Sequence, residues 1–143
     1  MKIDEGISRI LPMDFVREEL KRHGRVRSVS IDRGLFTRKK WWACCDDEGQ
    51  ILLDPTAPRA EFCASINETF PGLDLKTDEV CLYFFFHELR HSDGVMDEMA
   101  CHRYARRRIL QWRLFSEIQN LVFNSASEGI REAFQEIRGG QKN

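Results

Sequence analysis

The spacing of apolar and polar residues changes period several times along the chain. Pro12 to His23 reads as a short helix with proline in its first turn, and Gly24 suits its C-terminal stop. Alternation then takes over. It predicts strands at Val26–Ile31, Lys40–Cys45 and Gln50–Leu53, the last two joined by Asp46-Asp47-Glu48-Gly49 as a hairpin. Pro55, Pro58, Pro71 and Gly72 punctuate a stretch read as irregular, with one helical turn around Glu61–Asn67. Thr77 or Asp78 caps the apolar run Val80-Cys81-Leu82-Tyr83-Phe84-Phe85-Phe86, which leads into His87-Glu88-Leu89-Arg90-His91 and predicts a buried helix. Ser92-Asp93-Gly94 stops it, the glycine being free to reverse the chain. A further helix starts near Val95 to Asp97 and runs to about Phe123 with room for a break; Ser125 or Ser127 caps a final helix ending at Gly139-Gly140.

These elements imply an α+β fold: a small antiparallel sheet packed on the helix that carries the histidines, with C-terminal helices closing the far side. The 143 residues suit a single domain, 1–143. Leu, Ile, Val and Phe together number 38, enough to build a core. Charge nearly cancels, 22 basic residues against 23 acidic, which excludes an obvious polyanion binder and makes nucleic acid an unexpected partner. Locally it separates. Arg17–Lys40 holds nine basic and three acidic residues, and Asp46–Glu98 three basic and thirteen acidic. No apolar run is long enough for a membrane span, and Met-Lys-Ile-Asp-Glu-Gly lacks a leader's basic and apolar regions, so the expected location is cytoplasmic, with no membrane partner. Five cysteines at 44, 45, 63, 81 and 101, without a Cys-x-x-Cys pair, are expected as reduced thiols serving as small hydrophobes.

The chemistry lies in His87-Glu88-Leu89-Arg90-His91, the pattern H-E-x-x-H. On a helix, residues four apart share one face, so two imidazoles can reach one zinc ion at about 2.0–2.1 Å. Glu88 then lies about 100° round the helix, where its carboxylate reaches a water rather than the metal and serves as general base. With 4 histidines and 13 glutamates in the chain, chance supplies roughly 0.01 such matches, so composition alone does not account for it.

Two adjacent carboxylates compete as third ligand. Taken at about 100° per residue, Cys101, Ala105, Ile109 and Trp112 fall within about 60° of Glu98, which therefore heads an apolar stripe where a carboxylate needs a partner. Asp97 lies towards the edge and suits a helix cap.

The pattern H-E-x-x-H identifies the chain as similar to the zincin metallopeptidases. Glu98-Met99-Ala100-Cys101-His102-Arg103-Tyr104-Ala105 resembles the second-helix motif of the small ImmA/IrrE-type gluzincins, and the likeness covers roughly residues 78–112. That resemblance implies His87, His91 and Glu98 as zinc ligands, Glu88 as general base, and His102 where the family places an outer-shell residue. A second resemblance, H-E-x-x-H-x-x-G-x-x-D ending at Asp97, is to the metzincins; it implies Asp97 as third ligand and Gly94 as the sharp turn, but the only later methionine, Met99, gives no distant Met-turn.

Other groups carry open readings. His102 can orient a histidine ligand or replace Glu98, and Tyr83, Tyr104 and His23 are candidate hydrogen-bond donors to an oxyanion. Cys101 beside the site is read first as packing, and Trp41 and Trp42 as core and neighbouring surface. The function expected is a zinc-dependent metallopeptidase, a hydrolase acting on an extended polypeptide that adds to Lys40–Cys45 or Gln50–Leu53, with a regulatory protein as a candidate partner. The alternatives are a non-catalytic zinc-binding interaction module and a metal-dependent nuclease.

Overall fold

Gly49 takes a φ of 80°, and an added Cβ there would lie 2.1 Å from the Arg25 carbonyl oxygen, so only glycine fits the turn. Asp46 completes it: Oδ1 accepts from Glu48 N–H at 3.0 Å and Gln50 N–H at 2.8 Å. The computed structural model describes residues 1–141, and of residues 127, 134 and 137–141 the backbone alone. Its strands are β1 (Lys2–Ile3), β2 (Ser28–Ile31), β3 (Ala43–Cys45) and β4 (Gln50–Leu53). Its helices are α1 (Met13–Leu20), α2 (Leu35–Lys39), α3 (Arg59–Thr69), α4 (Val80–Ser92) and α5 (Glu98–Gln141). Short 3-10 turns cover Glu5–Arg9 and Thr77–Glu79. The fold is α+β.

The sheet runs β1-β2-β4-β3 and is mixed, which corrects the expected antiparallel arrangement. Only β3 and β4 pair antiparallel, through the tight turn at Gly49; β1–β2 and β2–β4 are parallel. Parallel neighbours need a crossover, which α1 supplies between β1 and β2 and the segment holding α2 and β3 supplies between β2 and β4. Lys40 leaves α2 with a φ of 60°, so the expected strand from Lys40 is shortened to its last three residues. The Pro-punctuated stretch carries more helix than one turn: Pro58 immediately precedes the 11-residue α3.

The chain divides into two compact units, Met1–Ile109 and Leu110–Asn143. In the first, α4 is buried from Val80 through Leu89 and packs against β3, β4 and α3. Trp42 stacks on Phe84 at 5.9 Å, with Phe62 edge-on to Phe84 at 5.3 Å. In the second, Leu114, Ile118, Leu121, Val122, Phe123 and Ile130 are exposed along α5. The break expected near residue 124 is absent, because neither Ser125 nor Ser127 is a strong helix breaker and no proline follows Pro71. Among the described residues, no helix is long and apolar enough to cross a membrane.

A candidate metal centre between two helices

The site lies in the first unit. Helix α4 ends as the sequence indicates: Gly94 takes a φ of 90° and its N–H donates to the His91 carbonyl at 2.9 Å. Only a few residues then separate α4 from α5, so the end of one helix faces the start of the next. Asp97 caps α5, its Oδ1 accepting from Ala100 N–H at 3.1 Å. That bond engages Oδ1 of the alternative third ligand, and the candidate metal-binding groups among the described residues do not include Asp97. Glu98, one residue on, points at both histidines: Oε1 is 2.8 Å from His91 Nε2 and Oε2 is 3.1 Å from His87 Nε2.

Hydrogen positions follow from the partners. Nδ1 of His91 faces the Val95 carbonyl at 2.8 Å, an acceptor only, so Nδ1 carries the hydrogen. Nδ1 of His87 faces Glu88 Oε1 at 3.2 Å and does the same. Both Nε2 atoms then point at one carboxylate, as lone-pair nitrogens wherever the ring is neutral. A cation satisfies that arrangement, either a metal ion shared by all three groups or a proton on the ring. The buried Nε2 of His87 accordingly has no hydrogen bond, the nearby Glu98 oxygen being out of line for one. Two imidazoles and a carboxylate are also a donor set that zinc favours.

His102 stands beside this group, its ring 4.5 Å from that of His87 and its Nδ1 2.8 Å from the Tyr83 hydroxyl. Burial, with the neighbouring His87, pushes the His102 imidazole down to about 4. Ligand atoms of His87, Glu98 and His102 lie within 4.8 Å of one another, as do those of His87, Glu88 and His91. Cys101 is fully buried against His91, Sγ to Nδ1 3.5 Å, and burial with the Glu98 charge raises its thiol to about 11, which marks it as packing.

A cavity of about 540 Å³ opens onto these residues, lined on the sheet side by Ala43, Cys44 and Cys45 and on the other by Phe84, Glu88 and Met96. Strand β4 pairs on both sides, so of the two strands expected to receive a peptide only β3 keeps a free edge. The bonds Asp54 N to Trp42 O and Asp46 N to Gln50 O turn residues 42 and 46 towards β4, and by alternation the main-chain groups of Ala43 and Cys45 face outward.

Two candidate oxyanion donors are engaged elsewhere. His23 and Tyr104 meet Glu19, which is buried between α1 and α5, with Tyr104 Oη 2.8 Å from His23 Nε2. Of the three, Tyr83 alone approaches the histidine group, through His102. The run Arg106-Arg107-Arg108 on α5 packs within the fold: Arg106 lies over Phe70, Arg107 over Tyr104, and Arg108 bonds Glu19. Trp42 is buried and Trp41 exposed. Sequence reasoning missed Val95, which acts through its backbone and leaves no side-chain signal, and the aromatic wall of Phe62 and Phe84. Compared with known proteins, the chain matches no family model, no curated protein and no solved structure.

Proposed function

We propose that the chain is a zinc-dependent metallopeptidase in which His87, His91 and Glu98 hold the metal and Glu88 is the general base. The observation that carries this reading is the pair of imidazole nitrogens, Nε2 of His87 and of His91, set against the two oxygens of Glu98. When bound, zinc would lower the pKa of a water and polarise a peptide carbonyl. Glu88, buried and lining the cavity, takes the proton of the attacking water and returns it to the leaving amine. Val95 O and Glu88 fix the tautomers of His91 and His87, which keeps each Nε2 available. An extended polypeptide substrate pairs with the outward main-chain groups of Ala43 and Cys45, which sets its register across the cavity.

The test is zinc content by elemental analysis together with incubation on casein and on labelled RNA. Zinc near one per chain with casein cleavage supports the reading. Zinc with RNA cleavage replaces it with a nuclease, and zinc with neither favours an interaction module.

A further inference from the structure

The two helices each bring an i,i+4 pair to the same place, His87 and His91 from α4 and Glu98 and His102 from α5. Resting on the metal-binding reading above, we propose that His102 is a fourth protein donor to the same ion, so that the resting centre is closed by His87, His91, Glu98 and His102.

Three observations carry it. First, the outer-partner positions of the histidine ligands are already filled. Nδ1 of His87 is bonded to Glu88 and Nδ1 of His91 to Val95 O, and His102 makes no hydrogen bond to His87, His91 or Glu98. It therefore does not act as their orienting neighbour. Second, His102 lies within reach of the same place as His87 and Glu98. Donors at about 2.0–2.1 Å from a tetrahedral zinc are about 3.4 Å apart. Glu98 stands 2.8 and 3.1 Å from the two Nε2 atoms, and ligand atoms of His102, His87 and Glu98 fall within 4.8 Å of one another. Third, His102 itself has the outer partner expected of a metal-binding histidine. The fully buried Tyr83 places its hydroxyl 2.8 Å from Nδ1 and 3.4 Å from the His102 carbonyl. A hydroxyl both donates and accepts, so with Nε2 of His102 on the ion the Tyr83 oxygen accepts from Nδ1–H.

Four protein donors leave no position for a water, which is the arrangement of structural zinc rather than of a working hydrolase. Hydrolysis then requires His102 to leave. Its side chain is half-buried and lines the cavity that a substrate enters, so its release faces open space. The centre is latent in this state.

The experiment compares the full-length protein with His102→Ala, His102→Asn and Tyr83→Phe. Each is loaded with Co2+ for visible absorption and titrated with Zn2+ against a chromogenic chelator, with circular dichroism of the metal-free protein as the folding control. The parent is expected to show the intense visible bands of a four-coordinate ion. The His102 variants should show weaker, shifted bands and zinc affinity lower by at least about tenfold; Tyr83→Phe should show a smaller loss. Casein hydrolysis should rise in His102→Ala. Unchanged bands and affinity in a folded His102 variant overturn the proposal while leaving the peptidase reading intact. The expected spectral change with no hydrolysis in any variant supports the fourth donor and overturns the peptidase reading. A parent that takes up no metal overturns both.

Discussion

Glu98 Oε1 lies 2.8 Å from His91 Nε2, and the other nitrogen of that ring is bonded to the Val95 carbonyl. A neutral imidazole so placed offers Glu98 a lone pair, and the contact is favourable with a cation between them, which a metal ion or a ring proton supplies. The neighbouring acid is differently employed, since Asp97 caps α5 through Ala100 N–H. Glu98→Ala should therefore abolish stoichiometric zinc uptake, and Asp97→Ala should retain it while lowering stability by about 1 kcal/mol through loss of the cap. Elemental analysis and thermal unfolding of both variants check this. Zinc loss in Asp97→Ala alone would move the third ligand to Asp97.

Glu88 sits on α4 between the two histidines in sequence and lines the cavity. Replacing it with glutamine keeps the size and the buried contact but removes the base. Glu88→Gln should bind zinc and lose about 10²–10⁴-fold in the rate of peptide hydrolysis. Hydrolysis within a few-fold of the parent would exclude Glu88 as the base.

The hairpin turn gives a prediction about stability alone. At Gly49 both the left-handed φ and the Arg25 carbonyl 2.1 Å from a Cβ position oppose any side chain. A backbone oxygen cannot swing aside as a flexible side chain would, so Gly49→Ala should cost at least about 2 kcal/mol. Because β3 forms the free edge of the cavity, the variant should also bind peptide more weakly. Chemical denaturation measures the first effect, and a cost below 1 kcal/mol, or about that, would show that the turn relaxes.

Much of this architecture could be read from local pattern. The apolar run Val80–Phe86 with its H-E-x-x-H continuation gives α4, and Asp46 to Gly49 gives the hairpin, because each depends on neighbours in sequence. What sequence did not reveal depends on remote contacts. The two-residue β1 is too short for any alternation and exists through pairing with β2. The parallel pairing of β2 with β4 depends on a crossover, not on either strand's composition. In the candidate site, the spacing of His87, Glu88 and His91 is legible, whereas the bond from His91 to the Val95 carbonyl is invisible to residue type. Tyr104 misled for the same reason: its chemistry suits an oxyanion, but the partner that holds it, Glu19, is 85 residues away.

That last cluster predicts how stability depends on pH. Glu19 is 1% exposed and is met by Arg108, by the Tyr104 hydroxyl and by His23 Nε2, while His23 Nδ1 lies 2.9 Å from Asp93, itself paired with Arg90. Burial opposes the charged form of His23 most strongly, yet hydrogen bonds and charge from Glu19 and Asp93 outweigh it, and its pKa stands above the ordinary 6.5. Burial likewise opposes ionised Glu19, and His23, Tyr104 and Arg108 outweigh it, holding the carboxyl below the ordinary 4.5. A raised folded pKa stabilises fully below the unfolded value and is lost as pH rises through the folded one; a lowered carboxyl pKa stabilises above its unfolded value and is lost as pH falls. Stability from this cluster should therefore be greatest between 4.5 and 6.5 and decline on both sides. Glu19→Ala strands a buried arginine and histidine and should cost about 3–5 kcal/mol. Unfolding midpoints of the metal-free protein in chelator, taken across pH, separate the arms, because His23→Gln should remove the alkaline decline and Glu19→Gln the acid one. An alkaline decline that persists in His23→Gln would assign it to another group.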